Sequence, residues 1–277
     1  MFAEGLLAGK RILVTGGGTG LGAAMAERFA GLGASLVICG RRTQVLADTA
    51  GRIGEATAAA VVPITCDIRD PAQVDAMMDE IWQAAPLDAL VNNAGATFVA
   101  QTEHLSHRAV DAVLAASLHG SIYCTLAAGK RWIATKHPGA VLSILSTATI
   151  TGRAFTVPTA IAKSGVLAMT RSLAVEWASR RIRLVAIAPG AIPTAGFLEK
   201  VAAGREERAP IASDNTLERV GTPDELANLA TYLLSPQADY INGEMVVLDG
   251  GRHLRNSGAE DVLKWSDADW EAQRARR

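Results

Sequence analysis

The chain has 277 residues, 49% of them hydrophobic and 20% charged, with a net charge of −1. That size and composition suit one large α/β domain, or two small ones, with a substantial core. The near-neutral balance, its basic residues scattered except for Arg274, Arg276 and Arg277, excludes nucleic-acid binding by bulk electrostatics.

The predicted elements alternate from the start. RILVTG (11–16) reads as a buried strand, GLGAAMAERFAGLG (20–33) as a helix and SLVICG (35–40) as a second strand. TQVLADTAGRIG is a helix, AAVVPITCD a strand, and PAQVDAMMDEIWQA a helix with proline in its first turn. LDALVNNAG is a fourth strand, followed by a long helix at about 105–136 and the strand AVLSILST (140–147). A helix at about 159–179 leads to the strand IRLVAIAPG (182–190), and residues 191–215 look irregular or loosely helical. PDELANLATYLLS is a helix and GEMVVLDGG the closing strand. The strands are continuous apolar runs, as a parallel sheet covered on both faces requires. The fold expected is α/β, one doubly wound domain over 1–251, with a more polar tail at 252–277 that carries Trp265 and Trp270.

No run of 18 apolar residues predicts a transmembrane helix. The opening MFAEGLLAGK lacks the pattern of a secretory signal, and the final RARR is not a peroxisomal address, so the expected location is cytoplasmic, away from membranes. Cys39, Cys66 and Cys124 lie far apart in the chain within apolar segments. They read as small buried hydrophobes in a reducing compartment, and neither a metal site nor a disulfide is expected.

VTGGGTGLGAA joins the first strand to the first helix, the context in which a glycine-rich loop holds a dinucleotide phosphate in a Rossmann-type fold. The glycines stand at Gly16, Gly20 and Gly22, with Thr19 and Leu21 between them, a spacing that differs from G-x-G-x-x-G. The second strand ends in Gly40, Arg41 and Arg42. With no acid to take a ribose 2′-hydroxyl, and guanidinium groups suited to a 2′-phosphate, NADP(H) is the expected cofactor; the bland alternative is that the arginines cap an exposed turn. Asp67, with Ile68 beside it, is placed to touch the adenine or else to cap the following helix.

Taken in order, TGGGTGLG (15–22), NNAG (92–95), LSILS ending at Ser146, Lys163 seventeen residues later, APGAIPT (188–194) and the stretch 221–251 resemble the short-chain dehydrogenase/reductase family. The resemblance implies that Asn93, Ala94 and Gly95 line the adenosine ribose, and that Pro189, Gly190, Ile192 and Thr194 flank the nicotinamide. It implies further that Lys163 holds the nicotinamide ribose, that Ser146 bonds the substrate oxygen, and that the chain is a homo-oligomer, commonly a tetramer built on the two long helices.

The chain departs from the family at Thr159, which stands where a catalytic tyrosine is usual, four residues before Lys163. Ser117 replaces an expected asparagine and Val185 another. A threonine hydroxyl is too weak an acid to replace a tuned phenol, though it donates hydrogen bonds. GRAFTVPTAIAKSGVLAMTRSLAVEW (152–177) resembles the 2,4-dienoyl-CoA reductases, which lack that tyrosine. Hydride addition to a conjugated thioester makes a dienolate whose proton ends on carbon, so the site chiefly needs donors on the thioester oxygen, which Ser146 and Thr159 supply. The tyrosine and asparagine that assist in the mitochondrial type map to Ala148 and His119. His119 is a donor candidate near neutral pH or, equally, a subunit-contact histidine. Lys200, Arg205 and Arg208, in the expected substrate lid, face CoA phosphates or form a plain solvated helix face. Three readings follow: an NADPH-dependent enoyl- or dienoyl-thioester reductase, an alcohol/carbonyl oxidoreductase with a displaced acid, and an NADP-binding protein without turnover.

Overall fold

A computed structural model describes residues 2–198, 215–255, 262 and 265–275. Seven strands, β1 (Arg11–Thr15), β2 (Ser35–Gly40), β3 (Val61–Thr65), β4 (Ala89–Asn92), β5 (Gly139–Ile144), β6 (Ile182–Pro189) and β7 (Met245–Leu248), form one parallel sheet in the order β3-β2-β1-β4-β5-β6-β7. The helices are α1 (Gly20–Ala30), α2 (Thr43–Thr57), α3 (Pro71–Ala84), α4 (His107–Leu114), α5 (Gly120–Thr135), α6 (Ala148–Thr151), α7 (Val157–Glu176), α8 (Ala195–Phe197), α9 (Pro223–Leu234) and α10 (Asp267–Ala275).

Successive strand residues point to opposite faces, and both faces are covered. Ile12 and Val14 pack with Met25 and Phe29 of α1, Ile53 of α2 and Leu226 of α9. Leu13, between them, packs with Met78 and Ile81 of α3 and with Ala128 and Trp132 of α5. This two-sided burial explains why the strands read as unbroken apolar runs. The edge strand β3 is the exception: Val62 and Pro63 are exposed, and an edge tolerates a residue with no N–H to give.

Several boundaries differ from those read in the sequence. β5 stops at Ile144, so Ser146 lies on the turn beyond the strand. The long helix is interrupted by a π-turn at Ala115–His119, between α4 and α5. The next helix begins at Val157, with Pro158 in its first turn, where a fixed φ and a missing N–H do no harm. By length and hydropathy His107–Thr135 is apolar enough to cross a bilayer, but half of its most apolar stretch is buried within the fold.

The segment LAVEW ends in Trp177, a buried ring that packs where a Cβ at Gly129 would otherwise sit. Its part is to bring the end of α7 close to α5. The three cysteines, distant in sequence, all fall in one core cluster on the α3/α5 face as free thiols. In the tail, Trp265 and Trp270 meet edge to face at 4.8 Å, and α10 buries none of its residues.

Candidate active site

The chain switches direction between β1 and β4, and a cleft of about 650 Å³ opens at the carboxyl ends of the strands there. Gly16, Thr19, Arg41, Arg42, Ile68 and Gly95 are among its walls. The glycine loop is built for close approach. Gly16 and Gly20 adopt φ of +67° and +55°, and a Cβ at Gly22 would lie on the Gly16 carbonyl oxygen. The Thr49 hydroxyl, from α2, donates to the Gly18 carbonyl at 2.8 Å and holds the loop from behind. The N-terminus of α1 follows directly, so backbone N–H groups and the helix dipole meet at a place fit for a pyrophosphate.

Arg41 and Arg42 are exposed at the rim, and neither forms an ion pair among the described residues. They are thus available to an anion, as the 2′-phosphate of NADP(H) requires. Asp67 also lines the cleft. Its carboxylate accepts from Arg69 Nε at 2.8 and 2.9 Å, and this guanidinium, aided by Arg41, holds it below the usual carboxylate range. Asp67 does not cap α3. Asp70 does, accepting from Ala72 N at 2.9 Å, because the cap must immediately precede Pro71.

Thr15 fixes the NNAG turn. Its buried hydroxyl donates to Val91 O at 3.1 Å and accepts from the N–H groups of Asn93 and Ala94 at 3.0 and 3.1 Å. The Asn93 side chain donates to Thr15 O at 2.9 Å, so it braces β1 against β4 while Ala94 and Gly95 form the cleft wall.

Lys163, Ser117 and Thr159 converge behind this turn. Lys163 Nζ donates to Ile144 O at 2.7 Å. Burial pushes the ammonium down from its ordinary 10.5 to about 8. A Cβ placed on Gly95 would lie 3.0 Å from Ser117 Oγ and 3.5 Å from Lys163 Nζ, so the turn, the π-turn and α7 meet at this glycine. Ser117 Oγ accepts from Ala96 N at 2.9 Å and donates to Ala96 O at 3.2 Å, pinning the next residue. Thr159 Oγ donates to Thr97 Oγ at 3.0 Å. Ser146 is half-buried, its Oγ accepting from Ala148 N at 3.3 Å.

His119 stands apart from these groups. It is exposed, its ring 6.2 Å from that of Tyr123, because a residue two positions beyond the buried Ser117 points to the opposite side of the helix. Ala148 is buried and has no polar side-chain atom, and Val185 is a core residue of β6. Pro189 ends β6 and Gly190 follows it, Ile192 is buried, and Thr194 lies 3.7 Å from where a Cβ on Gly20 would stand, facing the glycine loop. Gly190 packs against Asp249, which accepts from Gly251 N at 2.9 Å and His253 N at 2.8 Å. Lys200, Arg205 and Arg208 lie outside the described residues.

Sequence reasoning missed Thr15, Thr49, Arg69 and Thr97. Arg69 had a signal, a third arginine at the carboxyl end of a strand; isolated threonines carry none.

A family model described as "Enoyl-(Acyl carrier protein) reductase" matches residues 16–253. A relative from Caenorhabditis elegans, named "Probable 2,4-dienoyl-CoA reductase 3" and qualified as (3E)-enoyl-CoA-producing, is 39% identical over 96% of this chain and 89% of its own. One from Bacillus subtilis (strain 168), "Probable 2,4-dienoyl-CoA reductase", qualified as (2E)-enoyl-CoA-producing, is 38% identical over 88% of this chain and 97% of its own. Among solved structures, one from Beutenbergia cavernae with bound NADP at low occupancy superposes with a TM-score of 0.84 and 30% identity, over 90% of this chain and 99% of that one. With the glycine loop, the serine and lysine and the seven-stranded parallel sheet, these matches establish that the chain belongs to the short-chain dehydrogenase/reductase family.

Proposed function

We propose that the protein is an NADP(H)-dependent reductase of a conjugated enoyl- or 2,4-dienoyl-CoA-type thioester. The observation that carries this reading is the hydroxyl pair Thr159–Thr97, one helical turn before Lys163, where a carbonyl reductase needs a phenol. Reduction of a ketone must protonate an alkoxide, for which a threonine is too weak an acid. Reduction of a conjugated thioester places negative charge on the thioester oxygen and the proton on carbon, so hydrogen-bond donors suffice.

NADPH, when held in the cleft, would supply the hydride for the far carbon of the conjugated system. In this reading Arg41 and Arg42 hold the 2′-phosphate, and Lys163, poised behind Gly95, holds the ribose. Ser146 and the threonine pair face the thioester oxygen. Proton delivery to the carbon next to the thioester leaves a 3-enoyl product, and delivery two carbons further leaves a 2-enoyl product. The two reductases named above differ in this respect.

The test follows NADPH absorbance across a substrate panel. Turnover of a 2,4-dienoyl-CoA with none of simple ketones is expected, and activity on ketones alone would overturn the reading. We also propose a homo-tetramer. Ile150, Phe155, Val157 and Ile161 are exposed on α6, α7 and the turn between them, a strip of apolar side chains suited to a second copy. Light scattering at the monomer mass would sink that part.

A further inference from the structure

We propose that Thr97, on the loop after β4, is the residue that donates its hydroxyl hydrogen to the substrate oxygen, and that Thr159 is a positioning residue acting through it. This deepens the reductase reading and rests on it.

A hydroxyl has one hydrogen to give. Thr159 gives its hydrogen to Thr97 Oγ, at 3.0 Å. Among the described residues the Thr97 hydroxyl accepts this bond and donates to nothing, so its own hydrogen is available. Accepting one hydrogen bond polarises a hydroxyl and strengthens the bond it donates. Thr97 also lies in the wall of the cofactor cleft, in the run from Ala94 to Phe98. Its backbone is held on the upstream side, because Ser117 bonds both the N–H and the carbonyl of Ala96. Two residues before Thr97, a Cβ on Gly95 would lie 3.5 Å from Lys163 Nζ. The loop is thus fixed by one serine, approached by the lysine, and tipped with a hydroxyl that a second threonine orients. The threonine at the tyrosine position stands behind the donor, and the donor comes from a different element.

The experiment compares wild type with Thr97→Val, Thr97→Ser, Thr159→Val and Thr159→Ser. It uses NADPH oxidation with a 2,4-dienoyl-CoA, NADPH binding by fluorescence, and thermal melts. Thr97→Val is expected to lower kcat about 100-fold, the usual effect of removing one oxyanion donor, with NADPH affinity unchanged. Thr159→Val is expected to lower it only about 5- to 10-fold, as loss of a neutral hydrogen bond would. Both serine variants should recover most of the rate. Should Thr159→Val prove the more damaging of the two, Thr159 is itself the donor and the assignment is overturned. Equal losses of kcat and NADPH affinity in Thr97→Val, without recovery in Thr97→Ser, mark a structural role and overturn it too. An active wild type with Thr97→Val at full kcat overturns the assignment alone, whereas a wild type inert toward the dienoyl-CoA overturns the reductase reading and the assignment together.

Discussion

Lys163 Nζ sits 2.7 Å from the carbonyl oxygen of Ile144, so the lysine of α7 is tied to the end of β5 before any cofactor is considered. Burial lowers its pKa from 10.5 to about 8. Between these values the unfolded chain keeps a proton that the folded chain has lost, so this group makes stability rise with pH through that window. Activity should move the other way where the charge holds the ribose. kcat/KM for NADPH is expected to fall above pH about 8, and Lys163→Arg should push the fall to higher pH. A flat profile in wild type from pH 7 to 9.5 would count against a charged lysine.

In the proposed reading Arg41 and Arg42, exposed at the cleft rim, select the cofactor. Replacing both with alanine should raise KM for NADPH about 10- to 100-fold, the range for losing charge-assisted hydrogen bonds, and leave NADH nearly unaffected. An unchanged NADPH/NADH ratio would reduce the pair to a solvated turn.

His119→Ala should leave kcat with a dienoyl-CoA within about twofold of wild type, because general acid catalysis requires a group within hydrogen-bond reach of the reacting atoms. The exposed ring beside Tyr123 is not placed with Ser117 and Thr159. A large drop in kcat would bring back the reading in which a displaced acid acts on a carbonyl.

Gly129→Ala should destabilise the fold by about 1–3 kcal/mol, the range for overpacking a tight core. Its new methyl would overlap the Trp177 ring, one atom of which lies only 2.5 Å from that position. The melting temperature is the measurement, and activity per folded molecule should hold. An unchanged melt would show that the end of α7 shifts freely.

Thr222→Ala should cost about 1 kcal/mol by removing the cap of α9. There the Thr222 hydroxyl oxygen accepts from Glu225 N at 3.2 Å, and Thr222 N donates to the Glu225 carboxylate at 2.9 Å. Adding Glu225→Gln to that variant should change the melt less than it does in wild type, since the two residues form one box.

The sheet, its two covered faces and the glycine loop were legible because they rest on periodicity and on glycines at a strand–helix junction. Leu13 between Ile12 and Val14 shows it: all three are apolar, so both sides had to be buried. Lys163 was legible as a buried cation in need of a partner, though no pattern marks the Ile144 carbonyl. The pairing of Thr97 with Thr159 spans 62 residues and joins two small hydroxyls, a contact that only the completed fold creates. The π-turn was equally hidden, since Ala115–His119 reads as ordinary helix and one extra residue in a turn leaves no mark on composition. Asp70 rather than Asp67 as the helix cap was within reach, because Pro71 fixes where the first turn begins.

The clustering of the three cysteines has a practical consequence. Burial raises each thiol above its ordinary value, Cys66 to about 11, so hardly any thiolate exists near neutral pH. Cys39, the last residue but one of β2, and Cys66, just after β3, line the nucleotide cleft, and Cys124 of α5 belongs to the same core cluster. A maleimide or disulfide reagent therefore reacts only when the structure around these thiols opens. A ligand that fills the cleft lowers the frequency of such openings. The three native thiols are a built-in reporter: their labelling time, read with and without a nucleotide, measures how firmly that nucleotide closes the protein around itself.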